Sequence, residues 1–465
     1  MASANRPIPT ATLRTPPALP RLPFFGNAFE FRRDPLGTLE RGWRELGDVY
    51  SVQLGPRRII VISDPALAAD VLGDRWRKFR RPSEVLGGTV LTPLVGLSVL
   101  TTDGDSWLAK RRLLQPVFHR QRIAAMAAHM EAAGAAMLRR WQSRADAAPI
   151  DVVAEMKKVT LDIINRTMFS NDVLSEADRL GPYVDEGLHL IERAIITSPL
   201  PPGIPTPDRL RLRRVRRVID EYLYGLIRAR RAAGPGAGDL LDLLLEARDE
   251  ETGAGMDDEQ VRNEVATIYG AGHETTALAL TWTWLALERN PHVRARLHTE
   301  LDAVLRGRTP TAEDLPQLPY TLQVLEESMR LLPPVPFTVR EASEDVALGE
   351  FAIPAGAKIG IAIGNMQRHP RYWDAPDEFR PERFAPDARK AIHRYAYLPF
   401  LNGPHMCIGS HFALMEGQLL LAMIAQRYEM HIENPDAVVR DLAITMRPRS
   451  AMHAKIDRRR PTTDG

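Results

Sequence analysis

Residues 259–290, EQVRNEVATIYGAGHETTALALTWTWLALERN, run without a proline until Asn290-Pro291. At 3.6 residues per turn this predicts a helix of about eight or nine turns, with Asp257 or Asp258 placed to cap its start. Its second half is apolar almost all round, and such a helix has to be surrounded by other elements rather than laid on a surface. A chain that contains it needs a large body, and 465 residues with 44% hydrophobic side chains supply one. In the middle of the same segment, Gly270-Ala271-Gly272-His273-Glu274-Thr275-Thr276 combines two glycines with a threonine pair, which costs helix stability. A weak stretch inside a buried helix predicts a kink or a site.

The rest of the chain supplies the surrounding layers. Between residues 106 and 305 most segments pair i, i+3, i+4 apolar spacing with charged faces, as at 107–118, 152–169 and 210–227. Breaks rich in Gly and Pro at 198–207 and 231–238 separate helices but are too short for interdomain linkers. Pro7, Pro9, Pro16, Pro17, Pro20 and Pro23 keep the first thirty or so residues out of helices and central strands, so they read as an arm lying on the domain. Residues 48–61 carry β-branched and aromatic side chains around Gly55-Pro56, the pattern of a hairpin. After Arg340 the pattern is mixed, with a strand-like AKIGIAIGN and a loop over 369–403. The expectation is a mostly α fold with smaller β-sheet regions: residues 1–30 a proline-rich arm, residues 31–465 one large domain.

Charge excludes little and cysteine excludes much. With 61 basic and 59 acidic side chains the formal net charge is +2, so nothing in the overall balance demands a nucleic-acid or membrane partner, and any electrostatic partner must meet a local patch. The most basic run, 209–217, reads as the wet face of a helix. One cysteine rules out an internal disulfide and any multi-Cys zinc or iron–sulfur site. Residues 1–31 contain neither a signal-type apolar core nor a spanning run, so no membrane anchor and a cytoplasmic location are expected.

Cys407 therefore has to be explained alone. It lies in Phe400-Leu401-Asn402-Gly403-Pro404-His405-Met406-Cys407-Ile408-Gly409, which leads into the helical pattern SHFALMEGQLLLAMIAQRY. A sulfur at a helix N-terminus is expected to be held as thiolate, the form a metal requires, and glycines on both sides let backbone approach a flat group. A lone cysteine is otherwise a small buried hydrophobe.

This run resembles the Phe-x-x-Gly-x-(Arg or His)-x-Cys-x-Gly loop of the cytochrome P450 family. Further motifs resemble that family in order: Trp107-Leu108-Ala109-Lys110-Arg111, Ala271-Gly272-His273-Glu274-Thr275, Glu327-Ser328-Met329-Arg330 and Pro381-Glu382-Arg383-Phe384. The resemblance implies a single domain with haem b (iron protoporphyrin IX) buried between the long central helix and the cysteine loop and helix. Cys407 would be the iron ligand, and Trp107, Arg111, Arg340 and His405 would face the haem propionates, with Phe400, Gly409 and Ala271 completing the cofactor site. Thr275 and Glu274 would be the catalytic pair, Thr275 bonding back to the Ala271 carbonyl and Glu274 relaying protons. Glu327, Arg330 and Arg383 would form a buried ion cluster that holds the loop carrying Cys407.

By the same resemblance, the activity is a monooxygenase reaction. It would use dioxygen and two electrons from a separate ferredoxin or flavodoxin with its reductase, and hydroxylate or epoxidise a hydrophobic small molecule. Arg112, Arg120 and Arg122 are candidates for contact with that electron donor. The segments the family uses for its substrate pocket read here VLGGTVLTPLVGLSVL, SPLPPGIPTP, ATIYGAG and VPFTV, apolar and almost uncharged, which fits a terpenoid, fatty acid, steroid or polyketide. The segment from 196 to 208 is expected to be a mobile lid. A peroxide-using or isomerising haem-thiolate enzyme would not need the acid–alcohol pair, and a non-catalytic haem sensor would need neither relay nor docking surface.

Overall fold

The computed structural model describes residues 13–82, 91–142, 149–169, 174–197, 206–234, 236, 238–249 and 251–459. The chain divides into two compact units, each drawn from several stretches of sequence. The smaller takes Met1–Pro82, Val335–Asp377 and Ile392–Met406; the larger takes Ser83–Pro334, Glu378–Ala391 and Cys407–Gly465.

The smaller unit is built on a five-stranded sheet. Val49–Leu54 and Arg57–Ile62 form the expected antiparallel hairpin, and Gly55 at its turn has a φ of +60°, where a side chain would be strained. Arg57–Ile62 then pairs in parallel with Lys358–Ile361, followed by Thr338–Ala342 and Phe79–Arg80, both antiparallel. Ile60, Ile62, Ile359, Ile361 and Phe79 fill one core of this unit. Strand character in AKIGIAIGN ends at Ile361, because the chain turns into the short helix Ile363–Met366 after Ala362 donates to the Ile62 carbonyl. From Pro16 onward the arm lies along the sheet edge. Leu19 donates to the Ser51 carbonyl at 3.0 Å and Ser51 donates to the Pro17 carbonyl at 2.7 Å, an edge position that tolerates proline's missing N–H. Helix forms earlier than the proline pattern suggested, at Ala28–Arg33, as soon as the prolines stop.

In the larger unit the central helix is Asp258–Arg289, unbroken through the 270–276 stretch. Asp257 caps it in a reciprocal box with Gln260. From His273 to Leu287 almost every side chain is buried, against Val152–Phe169, Pro207–Ala233, Pro319–Leu331 and Ser410–Arg427. Val152–Phe169 has the predicted bounds; Gly104–Leu114 stops short of the predicted 118 because Pro116 follows, and Pro207–Ala233 extends beyond 210–227 at both ends. A small sheet of Ile150–Asp151, His453–Arg458 and Tyr428–Ile432 completes the unit. A helical majority with small sheets is the fold class the sequence led us to expect.

Candidate active site

The cysteine loop begins in the smaller unit, where its shape is set by two unusual backbone positions. Leu401 has a φ of +58° and Gly403 of +76°. A Cβ at Gly403 would lie 2.0 Å from the Leu72 carbonyl oxygen, so only glycine fits there. Asn402 locks the turn: its Oδ1 accepts from the Gly403 N–H at 3.0 Å and from Arg394, while its Nδ2 donates to the Arg394 carbonyl. His405 is buried, its ring edge-on to Trp76 at 5.4 Å, and Phe400 is half-buried. Also in this unit, Arg340 sits on Thr338–Ala342 opposite Ile359, buried, with Nη1 donating to the Val339 carbonyl at 2.9 Å.

Cys407 and everything after it belong to the larger unit. The helix starts at Ser410 with Gly409 as its cap, so the sulfur precedes the helix rather than sitting within its first turn. The lowering expected from the helix start is present in the Gly409 N–H, but burial outweighs it. Burial pushes the Cys407 thiol up, and the Gly409 N–H and the Arg111 guanidinium only partly oppose it. Arg111 itself is held below its ordinary value by burial, with Cys407 pulling it back. Trp107, buried, and Arg111 stand four residues apart on Gly104–Leu114, one face of that helix.

On the central helix, Thr275 Oγ1 donates to the Ala271 carbonyl at 2.8 Å, the back-bond read from the sequence. Ala271 is exposed and Thr275 half-exposed, although the turns that follow are buried. Glu274 is buried with its carboxylate 3.7 Å from Lys157 Nζ, which is also 3.7 Å from Asp185. His273 reaches the same group: its Nε2 lies 3.7 Å from Asp185, while its Nδ1 contacts the Tyr269 carbonyl at 2.9 Å and Thr160 donates to the His273 carbonyl.

The ion cluster is present. Arg330 grips Glu327 with two hydrogen bonds of 2.7 and 2.8 Å, both side chains wholly buried. Arg383 stands 3.4 Å from the same carboxylate, and the Arg380 N–H and Glu378 carbonyl close the network. Its products are a fixed 378–383 segment and no exposed functional group.

Haem fits these walls. Cys407 keeps an accessible surface even though protein surrounds it densely enough to raise its pKa, which describes a residue lining a concavity. A Cβ built on Gly409 would meet no protein atom within 4 Å, so that glycine, two residues after Cys407, borders open space. Ala271 presents a small apolar surface on the central helix. A lone soft sulfur, open space at Gly409, buried Trp107 and half-buried Arg111 match an iron porphyrin with carboxylate tails.

Other expectations fare differently. Arg112 is paired with Asp249 and Glu251 at 3.0 and 2.9 Å, Arg120 leans on His411, and Arg122 is exposed. Of the basic run, Arg211 pairs with Glu186 and Arg216 with Asp220. Of the expected lid, residues 198–205 lie outside the described residues, as do residues 83–90.

Three carboxylate environments escaped sequence reasoning. Lys157 beside Glu274 gives no signal, because its partner lies on another helix. Glu264 accepts the Val99 N–H at 2.9 and 3.1 Å with its two oxygens. Glu416, wholly buried beside Thr276, had one visible sign: it is the only acid in an apolar helical run.

Comparison with known proteins gives a consistent picture. The family model described as Cytochrome P450 matches residues 16–454. A "Cyclooctatin synthase" of Streptomyces melanosporofaciens is 36% identical, covering 88% of this chain and 88% of that protein. A "Pentalenene oxygenase" of Streptomyces avermitilis is 32% identical, covering 91% and 92%. Among solved structures, the crystal structure of the cytochrome P450DA heme domain aligns with a TM-score of 0.88 at 27% identity, covering 97% of this chain and 98% of that one.

Proposed function

The chain belongs to the cytochrome P450 family, so it is a monooxygenase with haem b as cofactor, and from that premise we propose that it oxidises a terpenoid-type hydrocarbon or alcohol. The observation that carries the reading is the Ala271–Thr275 back-bond, an exposed turn in an otherwise buried helix of the unit that also holds the only cysteine. Cyclooctat-9-en-7-ol and pentalenene, named as the substrates of two relatives, favour the terpenoid among the apolar candidates, as does the near absence of charge in 266–272 and 335–339. Residues 31–465 are proposed as one functional domain, since the family match spans both units.

Cys407 would hold the iron, with Trp107, Arg111, Arg340 and His405 as donors to the propionates and Phe400 and Gly409 shaping the loop. When bound, the haem activates dioxygen with two electrons, one oxygen atom entering a C–H bond and the other leaving as water. The protein's part is proton supply. While Thr275 gives its hydrogen to Ala271, the oxygen's remaining lone pairs face the open side and can accept from a water there. Glu274, buried yet tied to Lys157 and through it to half-exposed Asp185, connects that position to solvent. Electrons are proposed to come from a ferredoxin or flavodoxin with its reductase, meeting Arg120 and Arg122. Among the described residues no helix is long and apolar enough to cross a membrane, and a cytoplasmic location is proposed.

The test is turnover of pentalenene and related cyclic hydrocarbons with a ferredoxin system. Thr275→Ala is expected to cut product formed per reductant consumed by about tenfold or more, since a positioned proton donor contributes at least that much. Cys407→Ser is expected to abolish the thiolate signature of the reduced carbon monoxide complex. Equal product yield from Thr275→Ala would remove the acid–alcohol mechanism.

A further inference from the structure

Residues 94–101 fold as a self-contained piece of the larger unit. Thr101 Oγ1 donates to the Gly96 carbonyl at 2.6 Å and accepts from the Ser98 N–H at 2.8 Å, while Thr102 Oγ1 donates to the Ser98 carbonyl at 2.7 Å. Leu94 and Val95 are buried, but Leu97 is 54% exposed, so apolar burial seats only the start of the piece. The rest is held by polar groups from one turn of the central helix. Arg262 Nη2 donates to the Leu94 carbonyl at 2.8 Å, and Glu264 takes the Val99 N–H with both oxygens at 2.9 and 3.1 Å. Asn263, between them, packs closely enough that a Cβ on Gly96, whose φ is +70°, would lie 2.0 Å from its Oδ1.

The two charged ties differ in kind. Arg262 is buried but matched, its Nη2 also 2.5 Å from Asp220 on Pro207–Ala233. Arg216 pairs with the same Asp220 at 3.2 Å and donates to the Pro93 carbonyl at 3.3 Å. Glu264 is wholly buried and, among the described residues, has no cation within 4 Å. Lys110, on Gly104–Leu114, acts on it from farther off, and residues 91–102 carry no ionisable side chain. Burial pushes the Glu264 carboxyl up to about 7. A glutamine could accept the Val99 N–H without ionising, so an acid at this position makes the tie depend on protonation.

We propose that Arg262 and Glu264 are positioning residues that hold segment 94–101 shut against the central helix, Arg262 as a permanent tie and Glu264 as a catch released by deprotonation, so that substrate entry and exit follow pH. Opening of the segment lets water reach Glu264 and returns its carboxyl to the ordinary range. The closed form therefore binds the proton more tightly than the open one. Its advantage is complete below pH 4.5, falls as pH rises to about 7 and is level above that. The consequence for substrate rests on the proposed terpenoid reaction; the catch itself does not.

The experiment is hydrogen exchange of the haem-loaded protein, followed at Val99 with the intrinsic base catalysis of exchange divided out. Protection of this amide is expected to fall about fiftyfold between about pH 5 and 8. A local opening exposes little surface, so the same fall is expected in dilute urea, with residues 277–287 exchanging far more slowly. Glu264→Gln keeps an acceptor that cannot ionise and is expected to hold the protection level across the range. Glu264→Ala is expected to lose it at every pH, and Arg262→Gln to lower it about tenfold without changing the shape of the profile. With pentalenene as substrate, Glu264→Ala is expected to raise KM about tenfold and leave kcat within about twofold, the split for a group that seats substrate without touching the reacting atoms. If the parent does not oxidise pentalenene, the terpenoid assignment alone fails, and exchange at Val99 decides the catch. Protection independent of pH, an equal fall in Glu264→Gln, exchange at Val99 no faster than in residues 277–287, or a pentalenene KM unchanged by Glu264→Ala would each overturn the proposal.

Discussion

Glu327 and Glu416 are both wholly buried carboxyls on helices of the larger unit, yet they are handled in opposite ways. Glu327 is gripped by two hydrogen bonds from Arg330, stands close to Arg383 and accepts a backbone N–H, so its charge is spread over a complete network. Glu416 interacts with the Thr276 hydroxyl and has no cation beside it among the described residues; burial pushes its carboxyl well above the ordinary range. The same side chain is thus matched by a cation in one place and pushed by burial toward its neutral form in the other, and what differs is whether a guanidinium shares the site. Glu264 lies between them, with two contacts to one N–H and the Lys110 charge farther off, and burial leaves its carboxyl pushed up to about 7.

Removing the cation should have the largest effect. Arg330→Met takes both guanidinium hydrogen bonds from Glu327, leaving it only Arg383 nearby and the Arg380 N–H, and is expected to cost about 3–5 kcal/mol of stability by urea unfolding. Adding Glu327→Gln to that variant should recover part of the loss; a purely additive result would show that the two side chains are uncoupled.

The intermediate case is a pH experiment. Below pH 4.5 Glu264 is protonated both folded and unfolded. Between 4.5 and about 7 the unfolded chain has lost that proton and the folded one keeps it, so stability falls as pH rises through this window and levels off above it. The loss amounts to about 3 kcal/mol, and Glu264→Gln should abolish it. An unchanged slope in that variant would put the pH dependence elsewhere.

Glu416→Gln should be the mildest change, under about 1 kcal/mol, because an amide reproduces the shape and neutrality of a protonated acid. A large destabilisation would mean that Glu416 carries charge in the folded protein, and the contrast with Glu327 would fail.

What could be read from sequence was what is local in the chain. The central helix declared itself through its period, its caps and Asn290-Pro291; Glu327 and Arg330 through their spacing; Thr275 and Ala271 through a single turn of helix. What escaped depends on segments that meet only in three dimensions. Lys157 and Glu274 come from different helices, Val99 reaches Glu264 from a loop, and Arg112 finds Asp249 and Glu251 in a distant turn. The cysteine pKa failed for a related reason: the helix end is a local feature, whereas the desolvation that outweighs it is a property of the surrounding fold.

Gly403 carries a consequence for how the molecule is made. The turn leading to Cys407 is moulded against a carbonyl at Leu72, so a segment synthesised early forms the die for one synthesised much later. A nascent chain therefore lacks a finished turn at Gly403 until both segments have left the ribosome, however early the Leu72 segment folds.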